Sequence, residues 1–195
     1  GGTMILIKNG KVYSNGRFQK RDLYVENGHF SHKGESDEVF DAEGRFIIPG
    51  FWDIHTHGAM CVDVNAADRE GFERISTFLA SHGVTRWLCS ILTDDEERTT
   101  AAILRAREAI ENPLPGAKLM GIHLEGPFLA SEYKGAMPEH LLRQGDAELL
   151  RHYQALAQGK IRYITVSPEV PGVADMIPEA KKLGILVGIG HSGAT

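Results

Sequence analysis

From Phe51 onward the sequence alternates short, nearly unbroken apolar runs with longer stretches whose apolar residues recur every three or four positions. That rhythm permits few folds. Runs of this kind are strands buried on both faces, as in a parallel sheet, and the stretches between them are helices that cover it. We read strands at 51–57 (FWDIHTH), 84–92 (VTRWLCSIL), 117–125 (AKLMGIHLE), 161–167 (IRYITVS) and 184–191 (GILVGIGH). Helices are read at 68–82, 94–111, 146–158 and 173–183, the second opening on Thr93-Asp94 as its N-cap. A complete barrel of eight strands takes about 250 residues, so residues 51–195 hold about five of the eight, and the chain is expected to stop within the barrel. The fold class read is α/β, the first part of a (β/α)8 TIM barrel. A doubly wound open sheet is the alternative, but no Gly-rich phosphate loop follows the first strand.

The barrel portion is assigned to residues 49–195. Residues 1–48 read differently, as short extended segments (MILIKNGKVY, GRFQKRDLYVENGHF, EVFDAEGRFIIPG) cut by Asn9-Gly10, Asn15-Gly16 and Asn27-Gly28. Both residues of an Asn-Gly pair accept positive φ, so each pair predicts a hairpin turn. The result is a small antiparallel β module, too short to stand as a sandwich alone and expected to take a late strand from elsewhere in the chain. Gly1-Gly2-Thr3, ahead of Met4, is read as a cloning remnant.

Composition narrows the classes of function. With 42% hydrophobic residues among 195, the chain can bury a core. Its 21 basic and 26 acidic residues are mixed along the chain, with no basic run to meet nucleic acid. The apolar runs are far shorter than the ~20 residues of a membrane span, and no secretory signal opens the sequence. The expectation is a cytoplasmic protein with no membrane or nucleic-acid partner. Two cysteines against nine histidines argue against a disulfide framework and point any metal site toward imidazole and carboxylate ligands.

Three strand ends carry such groups. His55 and His57 stand at i and i+2 at the end of the first strand, so both imidazoles face one way and can reach one ion. The third strand ends on Glu125, stopped by Gly126-Pro127, which aims a carboxylate at the barrel mouth, a costly placement without a cation partner. His123 shares that face, as a structural group or one that orients a ligand. The fifth strand ends on His191, with small residues before it that leave room for a ligand near the backbone. Active sites of this fold collect at this rim. By contrast, Cys89 in a buried-type strand reads as a small core hydrophobe, and His82 before Gly83 as a helix terminator.

Together these motifs resemble the amidohydrolase superfamily and, within it, the N-acetylglucosamine-6-phosphate deacetylase family. PGFWDIHTHG, GVT, GIHLEGPF, the KGA of Lys134-Gly135-Ala136, ITVSPE and GHSGAT stand in that family's order over nearly the whole chain. The resemblance implies a metal-dependent hydrolase that converts N-acetylglucosamine 6-phosphate to glucosamine 6-phosphate and acetate. Glu125 and His191 would be ligands of the main ion, and His55 and His57 would contribute to a second position. The cofactor implied is one or two divalent ions, zinc first, with Fe2+, Mn2+ and Co2+ open. A further histidine ligand on the sixth strand and the aspartate that serves as general acid and base on the eighth would lie beyond Thr195. No catalytic acid or base is therefore expected within these residues. A water acidified by the ion would attack the acetamide carbonyl while that aspartate moves the proton.

Ala136 and Met137 are the substrate-binding candidates. The family commonly has a histidine where Met137 stands, and a thioether cannot donate the same hydrogen bond. Gly193 likewise replaces an asparagine. The expected partners are an amino-sugar phosphate and, in the full-length form, a second copy in a homodimer. Alternative readings are another superfamily hydrolase, such as a cyclic amidase or amino-acid deacylase, and a non-catalytic metal-binding assembly fragment.

Overall fold

A computed structural model describes residues 3–195; Gly1 and Gly2, part of the remnant read from the sequence, lie outside the described residues. The chain divides into two compact units, Gly1–Gly50 and Phe51–Thr195.

In the first unit, β1 (Met4–Ser14), β2 (Arg17–Glu26) and β3 (His29–Ser31) pair antiparallel in series. The turns between them are Asn15-Gly16 and Asn27-Gly28, and all four residues sit at positive φ. Asn9-Gly10 departs from the expected hairpin. It lies inside β1, where the register against β2 shifts between Ile7 and Gly10, so the pair forms a bulge. Asn9 takes φ 59° there and is held by side-chain bonds to Asp41 (3.0 Å) and a backbone bond to Asp22 (3.1 Å). Positive φ serves a bulge as well as a turn, which is why the dipeptide alone misleads. On the other edge of β1, β4 (Glu38–Asp41) and β5 (Phe46–Ile47) add in parallel. Among the described residues, all five strands of this sheet come from within this unit.

The second unit is a five-stranded parallel sheet in the order β12-β11-β10-β9-β6, formed by β6 (Phe51–Thr56), β9 (Val84–Leu92), β10 (Lys118–Glu125), β11 (Ile161–Val166) and β12 (Leu186–Ile189). Each strand lies beside its predecessor with no reversal of direction across the sheet. That is barrel order and excludes the doubly wound alternative. A small hairpin, β7 (Gly58–Ala59) with β8 (Val62–Asp63), follows β6. Helices α1 (Arg69–Ser81), α2 (Glu96–Glu111), α3 (Ala147–Leu156) and α4 (Val173–Lys182) make the crossovers. Their apolar faces close one side of the sheet, with Phe72, Ile75, Ile103, Leu150 and Met176 packed around Trp87, Ile91, Ile122 and Ile164.

The N-cap of α2 is Asp95 and not Thr93-Asp94. The Asp95 carboxylate accepts from Arg98 N at 2.8 Å. Thr93 is committed elsewhere, its hydroxyl donating to the Glu125 carbonyl at 2.8 Å. Asp68 and Asp146 cap α1 and α3 in the same way. His82 ends α1 before Gly83 at φ 83°, as read. Among the described residues no helix is long and apolar enough to cross a membrane.

Candidate metal centre

Parallel strands in sequential order put all five C-terminal ends on one rim, and three of them converge. β6 presents His55 and leads directly into His57, β10 ends on Glu125, and His191 follows β12 by two residues. Glu125 is the hub. Its Oε2 lies 2.5 Å from His57 Nε2 and 3.0 Å from His55 Nε2, while its Oε1 lies 2.7 Å from His191 Nε2. The two Nε2 atoms of His55 and His57 are 3.1 Å apart.

The remaining ring nitrogens decide what this arrangement can hold. His57 Nδ1 is 3.1 Å from the Ser90 carbonyl, and His191 Nδ1 is 2.7 Å from the Tyr133 carbonyl. A carbonyl only accepts, so each ring donates its Nδ1–H there and, in its neutral form, turns an Nε2 lone pair to the centre. Those lone pairs meet carboxylate oxygens, which are acceptors again. Acceptors held this close need positive charge between them, either a proton or a metal cation. Imidazole nitrogens with a carboxylate suit a borderline divalent ion. The ligand atoms of His55, His57 and Glu125 lie within 4.8 Å of one another. The residues present therefore fit a metal.

The same field is visible in the titrations. His57 is raised above the ordinary imidazole value, chiefly by its hydrogen bond to Glu125, with burial opposing. Burial works against the charge on Glu125, but hydrogen bonds from His57, His191 and His55 outweigh it and hold the carboxyl well below the usual range.

His123 is a different kind of histidine. Fully buried, it pairs Nδ1 with Ser90 Oγ (2.7 Å) and Nε2 with Thr165 Oγ1 (2.8 Å). Its ring stacks on Tyr163 and meets His55 edge-on, with centroids 4.5 and 4.6 Å away. Burial, with the neighbouring His55, pushes its pKa down to about 3. His123 is thus a neutral prop for His55.

Of the substrate-binding candidates, Met137 is buried and Ala136 is exposed. Their neighbour Gly135 approaches the centre, since a Cβ there would lie 3.6 Å from His191 Cε1. A Cβ at Gly193 would run into the Tyr133 ring, so this glycine leaves the space that Tyr133 fills. Cys89 is a core group as expected, its thiol pushed up to about 12 by burial.

Sequence reasoning missed Ser90, Thr165, Ser167 and the Tyr133 carbonyl. The first three were signalled as hydroxyls inside otherwise apolar strand runs, WLCSIL and ITVS. The Tyr133 contact is made by backbone, which no residue type announces.

No protein-family model matches the chain. It is 34% identical over 162 residues to N-acetylglucosamine-6-phosphate deacetylase of Bacillus subtilis, a match covering 82% of this chain and 41% of that protein. It is 30% identical over 209 residues to the human protein of the same name, covering all of this chain and 50% of its relative. The crystal structure of N-acetylglucosamine-6-phosphate deacetylase from Pasteurella multocida superposes with a TM-score of 0.88 at 27% identity, over 98% of this chain and 52% of the other. The relatives so named are metal-dependent amidohydrolases, the class to which this half-barrel and its histidine–carboxylate rim conform. Within that class the chain belongs with the N-acetylglucosamine-6-phosphate deacetylases, and it spans about half the length of the relatives it matches.

Proposed function

We propose that this chain is the metal-binding portion of an enzyme that hydrolyses the acetamide of N-acetylglucosamine 6-phosphate to glucosamine 6-phosphate and acetate. The observation that carries the reading is the convergence of three histidine Nε2 atoms on the single buried carboxylate of Glu125. Glu125 and His191 would hold the main ion, and His55 and His57 would contribute to a second position. Zinc is the ion favoured by nitrogen and oxygen donors of this kind, with Fe2+, Mn2+ and Co2+ sharing the chemistry. When bound, the ion supplies Lewis acidity, polarising an amide carbonyl and acidifying a water. The protein's own part is orientation: Ser90 and Tyr133 fix the His57 and His191 tautomers, and His123 fixes the plane of His55. Ala136 and Met137 are assigned to the sugar side of the site. The full-length enzyme is read as a cytoplasmic homodimer.

Elemental analysis of the purified chain beside Glu125→Ala and His191→Ala tests the site. Metal is expected in the parent protein and a sharp loss in both variants; unchanged metal content in the variants rejects the assignment. For the substrate, the full-length enzyme should deacetylate the 6-phosphate in preference to the unphosphorylated sugar. Faster turnover of a cyclic amide would move the protein to another branch of the class.

A further inference from the structure

The strand between those that carry Glu125 and His191 gives the centre no ligand, yet it touches both ligand loops. Ser167, directly after β11, is fully buried. Its Oγ accepts from Ala130 N at 2.9 Å, on the loop that follows Glu125. On its other side the same hydroxyl lies 2.6 Å from the His191 carbonyl and 3.0 Å from that of Gly190, and donates its one proton there. Backbone bonds repeat the pattern: Ser167 N donates to Phe128 O at 3.0 Å, and Gly190 N to Val166 O at 3.1 Å. Two residues on, Glu169 grips the far side of His191. Its Oε2 accepts from Ser192 Oγ at 2.7 Å and its Oε1 from Gly193 N at 2.8 Å.

The residue held between these grips needs them. His191 sits at φ 50°, the left-handed region a non-glycine residue leaves unless its surroundings over-determine it. Its ring is aimed by the Tyr133 carbonyl, in the short helical turn Ser131–Tyr133 that begins just after Ala130, the residue whose amide Ser167 holds.

We propose that Ser167 and Glu169 are positioning residues that clamp the His191 loop and tie it to the Glu125 loop, so that ion affinity is set from a strand that contributes no ligand. The proposal rests on the metal reading of the centre. Groups that orient a metal ligand typically change ion affinity by about 10–100-fold when removed, and that is the scale expected here.

The test is a Co2+ titration of the purified chain and its variants, following the visible d–d bands, with far-UV circular dichroism confirming the fold. Ser167→Ala and Glu169→Ala should each weaken binding by about 10–100-fold and alter the position or intensity of the bands. Glu169→Gln, which keeps one acceptor oxygen, should recover part of the loss. Ile164→Val, a change on the helix-covered side of the same strand, should leave affinity and bands alone. Parental affinity and bands in both alanine variants would overturn the clamp while leaving the metal centre standing. A parent chain that binds no Co2+ would overturn the metal centre and the clamp with it. Glu169 is exposed, so its variants keep the test decisive if Ser167→Ala does not fold.

Discussion

The two faces of the parallel sheet are built from alternate residues of the same strands, yet they have opposite chemistry. Toward the helices the strands turn Trp87, Cys89 and Ile91, then Ile122 and Leu124, then Ile164 and Val166, each 2% exposed or less. Toward the barrel interior they turn Ser90, His123 and Glu125, Thr165 and Ser167, which are also buried but polar. A period of two makes this separation automatic, because a strand cannot offer consecutive residues to one face. The helix-covered face is closed by area and packing. The interior face holds together through partners, with hydroxyls answering imidazoles and imidazoles answering a carboxylate. Damage to the first should therefore appear as lost stability alone, and damage to the second as lost orientation at the centre.

The largest effect that separates the faces is expected at Trp87. It is fully buried, packs near Phe72 and donates its ring N–H to Ser76 Oγ at 3.1 Å. Trp87→Ala should cost about 3–5 kcal/mol, read from urea denaturation, through the cavity and the orphaned hydroxyl. A cost below about 1 kcal/mol would mean that this face is not closed as described. Next is Thr165→Val, which keeps the side-chain shape but leaves His123 Nε2 without its hydroxyl. The expected cost is about 1–3 kcal/mol, the price of a buried unpaired polar atom. Its neighbour Ile164→Val, on the opposite face, should cost about 0.5–1.5 kcal/mol. If the two substitutions behaved alike in both stability and Co2+ affinity, the distinction between the faces would fail.

Much of this was legible in the sequence, and the reason is again the period. The apolar runs at 84–92, 117–125 and 161–167 located the strands, and a histidine or carboxylate at a strand end located the rim. Less legible was how the rim residues group. Without the family resemblance, which pairs it with Glu125, His191 reads as one isolated histidine, because Glu125 is 66 positions away and the contact exists only once β10, β11 and β12 lie side by side. Asn9-Gly10 failed for a different reason. The dipeptide encodes a backbone conformation, and whether positive φ reverses the chain or bulges it depends on pairing that continues on both sides. Ser167 and Glu169 were present in a quoted motif without a role, since their partners are mostly backbone groups of other loops.

The smallest effect concerns the start of α2, which helps cover the helix side just behind the rim. Three candidate caps occur in a row, Thr93, Asp94 and Asp95, and composition does not choose among them. The structure gives each a separate task. Thr93 holds the Glu125 carbonyl, Asp94 accepts from the Asp95 amide at 2.9 Å, and Asp95 accepts from Arg98 N to begin the helix. Asp95→Ala should therefore cost about 1 kcal/mol of stability, with Co2+ affinity unchanged, because the cap touches only the helix-covered layer. Thr93→Val leaves the helix cap intact but frees the carbonyl of a ligand residue, so it should weaken Co2+ binding. If Asp95→Ala disturbed the ion and Thr93→Val did not, the boundary between the two faces at β9 would have to be redrawn.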